Sequence, residues 1–278
     1  MKLANLDGRA AIVIDGRAVD VAEASGGKFG PSLRSVYDSW GSFRQWADSV
    51  DQSSAADFDE RALASPSPEP RQVFGIGLNY QAHADEGGAQ VPDIPATFTK
   101  FPASISGPYS PVELSGDSVD YEVELVVVIG ERADRVGRAD GWAHVAGLTV
   151  GQDISDRHVQ FAAGAQFSLG KSYRGYSPMG PWLVTPDEVA DRDDLALGCS
   201  INGDTMQDAR TSDLIFDVPG LIEELSAVVP LLPGDVIFTG TPSGVGFTRQ
   251  PPRLLRDGDL LESTIEGIGT MRNQIVGG

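Results

Sequence analysis

The chain has 278 residues, with 40 Asp and Glu against 21 Lys and Arg and a net charge of −19. That length holds one large domain, or a catalytic domain with a smaller appendage. Acidity of this degree repels phosphate backbones and anionic lipid surfaces, so no nucleic-acid or membrane partner is expected, and the lone Cys199 excludes an internal disulfide framework or a thiolate zinc cluster and fits a reducing cytoplasm.

In chain order, "AAIVID" and "RAVDVA" predict short strands and "SLRSVYDSWGSFRQWADSV" a helical stretch, together a small N-terminal domain over residues 1–64. The apolar run before Asp15 is too short for a signal segment or a membrane span, so the protein is expected to be cytoplasmic. "SPSPEP" sustains neither helix nor ladder, which places a linker at residues 65–71. Residues 72–278 then read as mostly β. The runs "QVFGIGL", "YEVELVVVI", "HVAGLTVG", "GPWLVT", "DVIFTG" and "LLESTIEGIGTMRNQIV" are separated by Gly, Pro and Asp turns. One helix is clear in "VPGLIEELSA", capped by Asp217, with Val218, Leu221, Ile222 and Leu225 on one face. Strands in runs with few helices predict an α+β fold rather than a regular βαβ repeat.

Three features carry chemistry. In "DYEVELVVVIG", Glu122 and Glu124 are two apart, so on a strand they share a face, and the run that follows enters the core. Two ionised carboxylates in a low-dielectric site must be protonated, paired or bridged by a cation. Asp153, at the end of a second apolar run, offers a third oxygen. An all-carboxylate set points to a hard ion, Mg²⁺ or Mn²⁺, with Ca²⁺ also admitted, and away from zinc.

In "GLNYQAHADEGG", His83 and Glu86 share a face of one helical turn, so the carboxylate can orient the imidazole as a base. The flanking glycines suit a lid. Of only four lysines, Lys100 and Lys171 sit in apolar surroundings. Finally, "PGDVIFTGTPSGVGF" joins a strand to a Gly-rich turn rich in backbone donors, a carboxylate cradle. It lacks the order of a P-loop.

Taken in order, "GIGLNYQAHADEGG", "FTKFPASISGP", "DYEVELVVVIG", "GQDISDRHVQ", "GKSYRGYSPMGPWLV", "NGDTMQDARTSDLIF", "LLPGDVIFTGTPSGVG" and "IEGIGTMRNQIV" resemble the fumarylacetoacetate hydrolase family over roughly residues 72 to 278. The resemblance implies a layered β fold, a homodimer, and a metal-dependent reaction on 2-oxo acids or 1,3-dicarbonyl compounds. Carried over, Glu122, Glu124 and Asp153 match the metal ligands, His83 and Glu86 the lid dyad that activates water, and Lys171 the lysine beside the metal. Tyr80, Arg157, Gln160 and Thr241 fall where the family contacts substrate.

The chain departs from the family at Ser155–His158 and at Ser172–Arg174, both expected near the pocket. The expectation is a hydrolase of 2,4-dioxo acids of the acylpyruvate or fumarylpyruvate kind. The alternatives are oxaloacetate decarboxylation, 2-oxo acid enol–keto isomerisation, or an idle metabolite-binding relative. If Arg174 faces the pocket, it is expected to meet a second substrate carboxylate.

Overall fold

A computed structural model describes residues 1–278, the side chain of Gln52 excepted. The strand Val123–Ile129 organises it. All seven of its residues are buried, because both faces are covered. Alternation sends Leu125, Val127 and Ile129 into one apolar cluster and Val126 and Val128 into another.

This strand is central to an eleven-stranded sheet, antiparallel to Val145–Gln152 on one side and to Val236–Phe238 on the other. From Val145–Gln152 the sheet continues through Ser177–Val184 to the N-terminal strands Lys2–Leu6, Arg9–Ile14 and Arg17–Asp20. The other side runs through Val73–Gly77, parallel to Val236–Phe238, to the edge strand Ala96–Thr99.

A second, five-stranded sheet holds Asp204–Arg210, Ala196–Ile201, Leu260–Ile265, Gly269–Val276 and Val112–Glu113. It shares a core cluster with the outer-facing residues of Val123–Ile129 and with the helix Val218–Val228. Asp217 caps that helix by accepting from the Gly220 N–H at 2.9 Å, and Val218, Leu221, Ile222 and Leu225 are its buried stripe. The mostly β, layered α+β fold read from the sequence is the fold observed.

The helical stretch near the N-terminus is two helices, Leu33–Tyr37 and Trp40–Ala47. Their Tyr37, Trp40, Phe43 and Trp46 rings, with Phe29, form a chain of contacts with centroids 5.4 to 5.9 Å apart. Gly130 is required beneath them, since a Cβ there would stand 2.5 Å from the Trp40 indole.

Residues 1–64, expected as a small N-terminal domain, share a sheet and a core cluster with Val126, Val128, Val236 and Phe238. Residues 65–71, expected as a linker, are fastened down. The Ser65 carbonyl accepts from Asn5 at 2.9 Å, the Pro66 carbonyl from the Tyr37 hydroxyl at 2.7 Å, and the Ser67 hydroxyl donates to the Gly234 carbonyl at 2.7 Å. The proline pattern does rule out helix and ladder here. It does not rule out burial, because side chains and strand ends supply the partners.

Phe43, wholly buried, should lose about 3–5 kcal/mol of stability on replacement by alanine. Because its cluster is shared across the sheet, tryptophan fluorescence and far-UV circular dichroism should report one coincident unfolding transition. Two separated transitions would show that the N-terminal 64 residues unfold on their own.

Candidate active site

Glu122, Glu124 and Asp153 meet at the end of the central strand, each offering an oxygen within 4.8 Å of the others. All three are buried. Their backbone is held by side chains where the ladder gives out. Gln152 Oε1 accepts from the Glu122 N–H at 2.8 Å and Gln207 Oε1 from the Val123 N–H at 2.9 Å, while the Asp153 N–H donates to the Glu122 carbonyl at 2.9 Å. Gln207 reaches over from the second sheet and also donates to Thr241 Oγ1 and the Pro242 carbonyl, each at 2.8 Å.

Three cations answer these acids. Lys171 Nζ lies 2.8 Å from Glu122 Oε2 and 2.6 Å from Asp153 Oδ2. Arg157 pairs with Glu122 at 2.6 Å and with Asp120 at 2.8 Å. Lys100, wholly buried, donates to Asp153 Oδ1, to the Lys171 carbonyl and, at 3.2 Å, to the Tyr176 carbonyl. Among the described residues, Asp120, Glu122, Glu124 and Asp153 thus pair only with Lys100, Arg157 and Lys171, and the carboxylate without a cation of its own is Glu124.

The proton affinities follow. Burial raises the Glu122 carboxyl, but Lys171 and Arg157 overcome it and hold it down at about 2. Burial, with Asp153 and Glu122 beside it, pushes Glu124 well above the ordinary range, against the pull of Lys171 and the Gly240 N–H, which donates to it at 2.8 Å. Burial lowers Lys100, whereas at Lys171 the charges of Asp153 and Glu122 outweigh burial and raise it.

A divalent ion fits this donor set. It is all oxygen, it is one cation short, and its unpaired member favours a proton in that cation's absence. The Tyr80 hydroxyl, buried without a hydrogen-bond partner among the described residues and under the influence of the Glu124 charge, is one more polar group the protein leaves unanswered there.

The short helix Gln81–Glu86 stands across the cavity from these residues. His83 Nδ1 is 2.7 Å from Glu86 Oε1, and Glu86 Oε2 accepts from the Gly244 N–H at 2.9 Å. Burial raises the Glu86 carboxyl, but His83 and the Gly244 N–H together bring it below its ordinary value. Glu86 is therefore an ionised acceptor. It fixes the proton on Nδ1 and leaves the lone pair on Nε2.

The cavity holds about 250 Å³ and is lined by His83, Glu122, Arg157, Gln160, Lys171 and Thr241 together with apolar side chains. The structure thus brings together ten sequence-derived candidates: the three acids, His83, Glu86, Lys171, Arg157, Gln160, Thr241 and, behind Glu124, Tyr80.

Two expectations change. The Gly-rich turn is a cradle for the protein's own acids, with Gly240 bound to Glu124, Gly244 to Glu86, and Gly246 and Phe247 to Asp120. The Thr241 hydroxyl is likewise engaged, donating to the Val123 carbonyl at 3.0 Å and accepting from Gln207. Arg174 and His158 are exposed and do not line the cavity. The condition on which Arg174 was expected to meet a second substrate carboxylate, that it face the pocket, is therefore not met by this cavity.

Asp120, Gln152 and Gln207 carried no signal of their own in the sequence. Lys100 did, as one of four lysines in an apolar context, but its partner Asp153 lies 53 residues away.

Residues 72–276 match the family model described as fumarylacetoacetate (FAA) hydrolase C-terminal. The human mitochondrial oxaloacetate tautomerase FAHD2A is 43% identical over 220 residues, 78% of this chain and 70% of that protein. A solved structure from Mycobacterium smegmatis superposes with a TM-score of 0.95 at 50% identity, covering 100% of this chain and 99% of the other. Maleylpyruvate hydrolase from Sphingobium sp. SYK-6, in complex with manganese(II) ion and pyruvate, superposes with a TM-score of 0.79 at 31% identity, covering 100% of both chains.

Glu124→Gln removes a candidate metal ligand and also a buried carboxylate that its neighbours repel. Metal-free Glu124→Gln should melt no lower than the metal-free parent, and it should lose the rise in Tm that Mn²⁺ gives the parent. A variant that melts lower without metal, or still gains stability from Mn²⁺, contradicts this charge arrangement.

Proposed function

The chain belongs to the fumarylacetoacetate hydrolase family, and on that premise we propose that it is a divalent-metal-dependent enzyme interconverting the keto and enol forms of 2-oxo acids that carry a hydrogen at C3, oxaloacetate among them. The observation that carries this reading is the opposition, in one small cavity, of a base with a fixed proton position to a cation-backed carboxylate cluster. Relatives named oxaloacetate tautomerase, from human and from rat at 42% identity over 76% of this chain and 68% of the rat protein, support the choice of reaction.

Glu122, Glu124 and Asp153 would hold the ion, proposed as Mg²⁺ with Mn²⁺ as a substitute. When bound, it supplies a sink for the negative charge that develops on the 2-oxo oxygen as the adjacent C–H bond breaks. Lys171 adds a fixed positive charge on the same side, already oriented by Glu122 and Asp153. Nε2 of His83 accepts the proton from C3, and Glu86 stabilises the imidazolium that results. Transfer of that same proton from the imidazolium Nε2 to the 2-oxygen completes the enol and returns His83 to its neutral form. The reverse sequence restores the ketone, and no other reactant is needed.

The same dyad supports a second reading, hydrolytic C–C cleavage of an acylpyruvate, in which Nε2 takes its proton from water. Maleylpyruvate hydrolase, among the solved relatives, favours keeping it. Both reactions need the electron sink, and only the second needs water in the cavity. A homodimer, which the resemblance implies, belongs to the same proposal, as does the cytoplasmic location expected from the lone Cys199, and sedimentation tests the assembly. Among the described residues no helix is long and apolar enough to cross a membrane.

The decay of enol absorbance in fresh oxaloacetate should accelerate with enzyme and Mg²⁺, and His83→Ala should slow it by roughly 10² to 10⁴. Pyruvate release from acetylpyruvate, without any effect on enol decay, would replace the first reading by the second. Absence of both activities would remove both.

A further inference from the structure

We propose that the side of the cavity away from the carboxylates is an aromatic subsite for an uncharged, apolar group at the far end of a 2-oxo acid. This rests on the reading given above and narrows its substrate class.

The contacts around the cavity close on themselves. Lys171 Nζ stands 5.2 Å from the centre of the Phe98 ring, Phe98 meets Phe167 edge-on at 5.9 Å, and Phe167 meets Phe161 edge-on at 6.0 Å. Phe161 meets Phe247 at 6.0 Å, and the Arg157 guanidinium lies 4.4 Å from the centre of the Phe247 ring. Glu122, paired with both Lys171 and Arg157, completes the circuit. One side of this ring is charged, and the other is four phenyl groups backed by Ile76 and Ala89.

The cations on the charged side are committed. Arg157 serves Asp120, Glu122 and Gln160 Oε1 with its N–H groups and lies against Phe247 with a face. Lys171 serves Glu122 and Asp153 and stands over Phe98. Among the described residues lining the cavity the remaining basic side chain is His83, which Glu86 holds.

A second carboxylate at the far end of a substrate would sit among phenyl rings without a counter-charge, which disfavours it. An apolar group there would instead cover Phe161, the most exposed of the four rings at 49%. Gln160, whose carboxamide nitrogen has no protein partner among the described residues, offers a donor to a neutral oxygen between the two ends, such as the 4-oxo group of a 2,4-dioxo acid.

The test is calorimetric binding of oxalate, oxaloacetate, 2-oxopentanoate and 2-oxo-4-phenylbutanoate to the Mn²⁺-loaded protein. The phenyl compound should bind about 10- to 100-fold more tightly than oxaloacetate, with 2-oxopentanoate between them. Phe161→Arg changes an exposed position without emptying the core, and it should reverse the order of oxaloacetate and the phenyl compound. Equal affinities, tighter binding of oxaloacetate by the parent, or an unreversed order in Phe161→Arg overturns the aromatic subsite while leaving the 2-oxo acid reading in place. Failure of every compound to bind, oxalate included, overturns that reading and the subsite with it.

Discussion

Four carboxylates buried among three cations are the constraint from which the rest of this structure follows. Isolated charges in such a place would be neutralised or expelled. Here each acid except Glu124 is paired, and the pairings draw in residues from many elements: Lys100 after the edge strand, Asp120 before the central one, Arg157 at the start of a short helix, Lys171 on a turn. The fold brings these distant segments together, and their mutual attraction leaves one negative charge in surplus. A divalent cation bound there would reverse the sign of the site, and an anionic 2-oxo acid of the kind proposed would then meet a positive charge.

The second sheet has a role in this that its distance from the chemistry conceals. At Glu122 and Val123, where the central strand begins, the backbone N–H groups need acceptors that the ladder does not supply. Gln152 and Gln207 supply them. Gln152 is itself anchored by donating to Ser263 at 2.9 Å, and Gln207 accepts from Cys199 at 3.3 Å, so both are tied to the strands Ala196–Ile201 and Leu260–Ile265. The buried Cys199 thiol, its proton affinity raised by burial, serves as a donor in this network rather than as a nucleophile.

Much of this was legible in the sequence where local rules act. The spacing of Glu122 and Glu124, the i, i+3 relation of His83 and Glu86, and the capped stripe of Val218–Val228 each reflect a period of the backbone, and each appears as expected. The hairpin Ala196–Ile201 to Asp204–Arg210 was legible too, through the two-residue Asn202–Gly203 turn with both residues at positive φ. Other features depend on contacts at long range. A proline-rich segment gives no sign that Tyr37 and Gly234 will hold it, and a glycine-rich turn gives no sign whose carboxylates its amides will bind. The outward course of Arg174 is set by a turn whose neighbours lie far off in the chain.

The latch between Glu86 and Gly244 couples two properties that are separate in many enzymes. A helix of six residues has little stability of its own in water, so Gln81–Glu86 owes its order to its attachments. The Glu86 carboxylate spans the imidazole and the Gly244 peptide, whose carbonyl in turn accepts from Tyr121 and Arg249, each at 3.1 Å. Were that one carboxylate released, the segment would lose its tie to Gly244 and His83 the group that fixes its tautomer. An open state would therefore have no oriented base, and the proton transfer proposed for His83 would wait until the segment folds over the substrate.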